Sequence, residues 1–216
     1  MRILILGLPG SGTSAIAECY FRAGFSNCPP TFAKVDYGYE CHESLLGRAV
    51  NRIIVGSDYG PQGWPLNRWH HEWKPRNPWN DPEVRHLAMW FMREMDERHG
   101  NWFFKNPETL QGMAVWNRYE WDEIVGVYRH PEEAIRSLHS SEKACYRRHV
   151  WNRYGKALVR YSTKIVRFPD GVADLADELG VTNPIIDGRP RTRVGYDPAA
   201  ADWCASTWRV LEAAHA

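Results

Sequence analysis

A chain of 216 residues suits a single domain spanning 1–216 and is long enough to bury a substantial core. Lys plus Arg number 27 against 26 for Asp plus Glu, so near-neutrality removes any sequence-independent electrostatic case for nucleic acid or an anionic membrane, and an anion site must be local. No apolar stretch approaches the roughly 20 residues of a membrane span, and there is no internal repeat or low-complexity tract.

The apolar run Ile3 to Leu6 predicts a strand over 2–6, and Ala15-Ile16-Ala17-Glu18 predicts a helix over 13–23. Arg2, the apolar run and Ala15-Ile16-Ala17 mimic a signal peptide, but the run is short and Gly, Pro and Ser interrupt it. Between strand and helix lies Gly7-x4-Gly12, the pattern of a phosphate-cradling loop whose backbone N–H groups sit at a helix N-terminus. Thr13, followed by Ser14, occupies the position where ATP-using loops place lysine. The anion cradle is present and the triphosphate clamp is missing; an ordinary tight strand-to-helix turn is the alternative.

Further along, the pattern predicts a short strand near 33–36, a helix over 41–55, an irregular segment over 56–81 and a helix over 82–98. The irregular segment carries Trp64, Trp69, Trp73 and Trp79 among prolines and basic residues. A loop of this length is either a candidate acceptor lid or one that its tryptophans anchor to the surface. Trp90, Phe91, Trp116 and Trp121 read as packing residues. His70-His71-Glu72 is not a metal site, because consecutive side chains do not converge on one centre, and no metal is expected. The five cysteines, at 19, 28, 41, 145 and 204, lack CxxC or zinc spacing; they favour a reducing compartment, so a cytoplasmic protein is expected.

A strand over 102–104, a helix over 109–118 and a strand over 123–128 come next, then helices over 131–141 and 144–161. A strand over 163–168 and helices over 170–179 and 198–214 complete the chain. This alternation predicts an α/β fold, a mainly parallel sheet with helices on both faces, with ligands at the carboxyl ends of the strands. Pro131, with Glu132 and Glu133 behind it, marks a helix start, so Arg129 falls at a strand tip and Ser137 about two turns into the next helix. One guanidinium and one hydroxyl there suit an anion.

Taken together, Pro9-Gly10-Ser11-Gly12-Thr13-Ser14 and the segment from Arg129-His130-Pro131 to Ser137 resemble two motifs of the sulfotransferases that use 3′-phosphoadenosine 5′-phosphosulfate (PAPS), in particular their compact bacterial and phage-like branch. In that family the first loop binds the 5′-phosphosulfate and the second segment the 3′-phosphate. Gly38-Tyr39-Glu40 with Leu45 to Asn51 resembles the acceptor-side element, and Phe104-Lys105-Asn106-Pro107 resembles a Lys-Asp-Pro strand end. Lys164 to Phe168 and Leu175 to Gly180 resemble the last strand and helix, so the likeness spans 2–181.

The resemblance implies a three-layer P-loop-type fold, PAPS as donor, and transfer of a sulfuryl group to a hydroxyl or amine of a small-molecule or carbohydrate acceptor. It implies donor contacts from Pro9 to Ser14 and from Arg129 and Ser137, with Glu40 as base and His42, His70 and His71 as alternatives. Gly10 stands where many members carry Lys or Arg, so either Lys105 supplies that cation or the protein is slow or inactive. Asn106 and Glu108 also depart from the family's Asp and Arg. A P-loop small-molecule kinase is the competing enzyme reading, but it requires a Walker-B-type Asp where Tyr128-Arg129 stands. A nucleotide-binding relative that has lost catalysis is the non-enzyme alternative.

Overall fold

The computed structural model describes residues 1–31, 42–55, 80–137, 148–184 and 200–216. In chain order the elements are β1 (Arg2–Gly7), α1 (Thr13–Arg22), α2 (Leu45–Val55), α3 (Pro82–Arg98), β2 (Trp102–Lys105), α4 (Met113–Trp116) and β3 (Glu123–Tyr128). Then follow α5 (Pro131–Ser137), α6 (Arg148–Tyr161), β4 (Lys164–Arg167), α7 (Gly171–Glu178) and α8 (Ala200–His215).

Ile3, Leu4, Ile5 and Leu6 of β1 are all 0% exposed, as a strand covered on both faces requires. Among the described residues β1 lies inside a four-stranded parallel sheet of order β2-β1-β3-β4. Side chains alternate across a strand, and the core divides accordingly. Ile3 and Ile5 join Ile16 and Tyr20 of α1 and Val172 and Leu175 of α7. Leu4 and Leu6 join Val50 and Ile54 of α2, Phe91 of α3, Trp151 and Tyr154 of α6, and Leu211 of α8. The chain is therefore an α/β protein. Truncating any of these buried aliphatic side chains to alanine removes about 2–5 kcal/mol.

Several boundaries differ from the sequence reading, each for a local reason. The helix expected from 41 begins at Leu45: His42 has φ 54°, outside helical space, and the Ser44 hydroxyl caps the helix by accepting the Gly47 amide at 3.1 Å. The helix expected over 109–118 is a 3-10 turn, Thr109–Gly112, followed by the single turn of α4. The predicted start of α3 holds, with Asp81 accepting the Glu83 amide at 2.9 Å and Pro82 in the first turn. The expected strand at 33–36, residues 56–79 of the irregular segment and residues 138–147 between α5 and α6 lie outside the described residues.

Phe91 and Trp116 are 0% exposed and pack edge to face, their ring centroids 5.8 Å apart. Trp121 packs similarly on Trp102, whereas Trp90 is 41% exposed and so is not the packing residue expected. Asn51, fully buried, accepts the Trp116 indole N–H at 2.8 Å and donates to Asn106 Oδ1 at 3.4 Å. Asn51→Ala deprives that indole of its acceptor inside the core. The expected loss is about 1–3 kcal/mol in urea unfolding, and an unchanged midpoint contradicts it.

Candidate functional site

A parallel sheet delivers every strand to the same edge, and the chain leaves β1 and β3 toward opposite sides of this one. That switch point is the crevice where open α/β sheets hold ligands. The turn after β1 and the residues after β3 both lie there, since Gly7 pairs with Val127.

The turn is shaped by glycine. Gly10 and Gly12 have φ of 79° and 96°, a left-handed backbone that side chains disfavour. A Cβ on Gly12 would lie 2.2 Å from the Phe168 ring, and one on Gly7 would lie 2.2 Å from Thr13 Cγ2. Ser11, buried, donates through both its amide and its hydroxyl to the Leu8 carbonyl, at 3.0 and 2.7 Å. Its hydroxyl thus braces the turn. Gly12 caps α1 without a side-chain hydrogen bond, and the first turn of the helix carries no acidic residue. The opening amides of α1, at Thr13 and Ser14, have no intrahelical acceptor, and the helix turns its positive end toward the crevice.

Lys105 adds charge at the same place. It ends β2 opposite Ile5, on the α1 side of the sheet with Phe103, and its side chain is 3% exposed. Nζ donates to Ser14 Oγ at 3.1 Å and to Glu43 Oε1 at 2.9 Å. A lysine from the neighbouring strand therefore reaches the turn from which Gly10 withholds one. Glu43 went unnoticed in the sequence, although it stands three residues beyond Glu40 in the same element.

On the other side of the crevice Arg129 is 5% exposed. Its Nε donates to Glu133 Oε2 at 3.1 Å, and its guanidinium lies 5.0 Å from the centroid of Phe168. Phe168 thus touches both halves of the site, Gly12 on the loop and Arg129 beyond β3. Strand alternation explains the orientation. Tyr128 and His130, on either side of Arg129, turn instead to Trp208 of α8, with ring centroids 5.2 and 4.9 Å away. The Tyr128 hydroxyl donates to Glu212 at 2.6 Å; burial and then that carboxylate push its ionisation well above the ordinary tyrosine value, so it stays a donor. Neither Phe168 nor α8 carries a sequence signal for this role.

Pro9 lies in the turn, and Ser137 ends α5 with its side chain outside the described residues, as are Glu40 and His70. His42 is buried in a network of its own: Nε2 lies 2.7 Å from Glu18 Oε2 and Nδ1 lies 3.1 Å from Asn27 Nδ2. These contacts tie His42 to the flank of α1, one helical turn beyond Ser14. Cys19 and Cys28 are buried free thiols, and burial pushes Cys19 up to about 11 and Cys28 up to about 12, too high for a thiolate at neutral pH. Set against protein-family models, curated proteins and solved structures, the chain finds no match.

Gly12→Ala meets both the left-handed backbone and the Phe168 ring, with an expected loss of at least about 2 kcal/mol. A thermal midpoint equal to the parent's contradicts that. Burial acts to raise the Glu18 carboxyl, but hydrogen bonds with His42 and Arg22 outweigh it and hold it below its ordinary value. Its contribution is therefore complete above the unfolded-state value and lost as pH falls through the folded one. Glu18→Gln is expected to flatten the decline in stability between about pH 5 and 3, measured as urea midpoints; equal slopes in both proteins refute this.

Proposed function

We propose that the chain is a PAPS-dependent sulfotransferase on a three-layer P-loop-type fold, moving a sulfuryl group to a hydroxyl or amine of a small-molecule or carbohydrate acceptor. One observation supports the reading: the glycine turn and Arg129 lie at neighbouring strand ends and both touch Phe168. An ATP-type clamp has no basis in the Gly7–Gly12 loop, and β3 ends in a tyrosine bound to Glu212 rather than in a metal-binding aspartate.

In this reading the amides from Gly12 to Ser14 hold the 5′-phosphosulfate, with Pro9, Gly10 and Ser11 shaping the turn and the Thr13 and Ser14 hydroxyls assisting. Arg129 and Ser137 hold the 3′-phosphate. The acceptor oxygen attacks sulfur as the bond from sulfur to the phosphate oxygen breaks, leaving adenosine 3′,5′-bisphosphate. Lys105 offsets the charge that grows on that departing oxygen, the function Gly10 cannot serve. Glu40 takes the acceptor proton, with His70 the alternative, since His42 is engaged with Glu18 and Asn27. No metal is needed, because the donor presents no γ-phosphate. A cytoplasmic reaction is part of this proposal, supported by the free thiols of Cys19 and Cys28.

Adenosine 3′,5′-bisphosphate is expected to raise the thermal midpoint and ATP with Mg²⁺ to leave it unchanged. Arg129→Ala is expected to keep its fold and lose about 1.5–3 kcal/mol of the preference for the bisphosphate over 5′-AMP, roughly tenfold or more in affinity. Undiminished discrimination by that variant, or stabilisation by ATP with Mg²⁺ instead, overturns the assignment. Binding of the bisphosphate with no sulfuryl transfer to a panel of alcohols, sugars and amines leaves a nucleotide-binding relative without catalysis.

A further inference from the structure

The two halves of the site belong to different strands, and the register joining those strands ends at Gly7 and Val127. Past that pair the main chains turn to other partners. The Tyr128 carbonyl accepts the Phe168 amide at 2.8 Å, and the Leu8 carbonyl accepts the amide and hydroxyl of Ser11. One side chain closes the gap between them. Tyr154 of α6, 1% exposed, donates its hydroxyl to the Val127 carbonyl and accepts the Leu8 amide at 3.1 Å. Leu8 is thus fixed at both ends, by Tyr154 through its N–H and by the Ser11 turn through its C=O. A hydroxyl, donor and acceptor at once, is the group this bridge requires.

We propose that Tyr154 is a positioning residue that sets the separation between the anion loop and Arg129, and so governs the two-ended grip on a 3′,5′-bisphosphorylated nucleoside. The inference rests on the nucleotide site proposed above. A ligand held at both ends gains affinity from its second contact only when the spacing of the site matches its own. A ligand with one phosphate uses one end and is indifferent to the spacing. Loss of the Tyr154 hydroxyl therefore penalises the bisphosphate and spares both monophosphates, whereas a general loss of packing weakens all three alike.

The test is calorimetric titration of parent and Tyr154→Phe with adenosine 3′,5′-bisphosphate, 5′-AMP and 3′-AMP. The expected result is a roughly tenfold loss of bisphosphate affinity in the variant, with both monophosphates within about twofold of the parent. Unchanged bisphosphate affinity, or a parallel loss for all three ligands, overturns the proposal. A parent that does not prefer the bisphosphate removes the nucleotide reading itself, a result distinct from failure of Tyr154 to act on an existing preference. Should Tyr154→Phe fail to fold, the same titrations on protein carrying leucic acid in place of Leu8 decide the matter. That exchange turns the Leu8 amide donor into an ester oxygen and leaves Tyr154 in place, and the same two patterns of affinity apply.

Discussion

The arrangement depends on β1 lying between two parallel partners. Parallel pairing requires a long crossover between strands, so each strand delivers its last residue to the same edge of the sheet. With the order β2-β1-β3-β4, the edge receives Lys105 on one side of the glycine turn and Arg129 and Phe168 on the other. Antiparallel pairing of any of these strands would send its chemistry to the far side of the molecule. The buried apolar run of β1 therefore does more than fill the core, because only a strand covered on both faces sits comfortably at this position.

The strand ends alone do not specify a site; close approaches of backbone to side chain do. Gly12 lets the loop rest on Phe168, and Gly7 lets the turn fold back over Thr13 and Ser11. Phe168 in turn supports the Arg129 guanidinium, while Tyr128 and His130 pack on Trp208 of α8. Geometry at each of these points comes from a residue with little chemistry of its own. The sheet sets positions to within a strand spacing, and the small and aromatic residues set the finer distances.

Much of this was legible in the sequence, for physical reasons that also explain what was not. The apolar run before Gly7 and the proline and glutamates after Arg129 are local signals, and each produced the element expected of it. His42 resisted, because its burial against Glu18 and Asn27 depends on a left-handed backbone that no neighbouring glycine announces. Glu43, Tyr154 and Phe168 acquire their places only through contacts with residues 62, 146 and 156 positions away, at Lys105, Leu8 and Gly12. Periodicity and capping cannot report such pairings. Lys105 lies between these cases: its strand was readable and its contact with Ser14 was not.

Charge at this edge is organised in pairs. Lys105 and Arg129 are both nearly buried, where an isolated cation is costly, and each lies beside a carboxylate supplied from a neighbouring segment, Glu43 before α2 and Glu133 within α5. The Glu43 carboxylate is itself 13% exposed and screened little by water, whereas Glu133 is 44% exposed and contributes a weaker field. The near-neutral composition is thus repeated at this edge, where each buried cation has a carboxylate beside it and helix α1 turns its positive end to the same place.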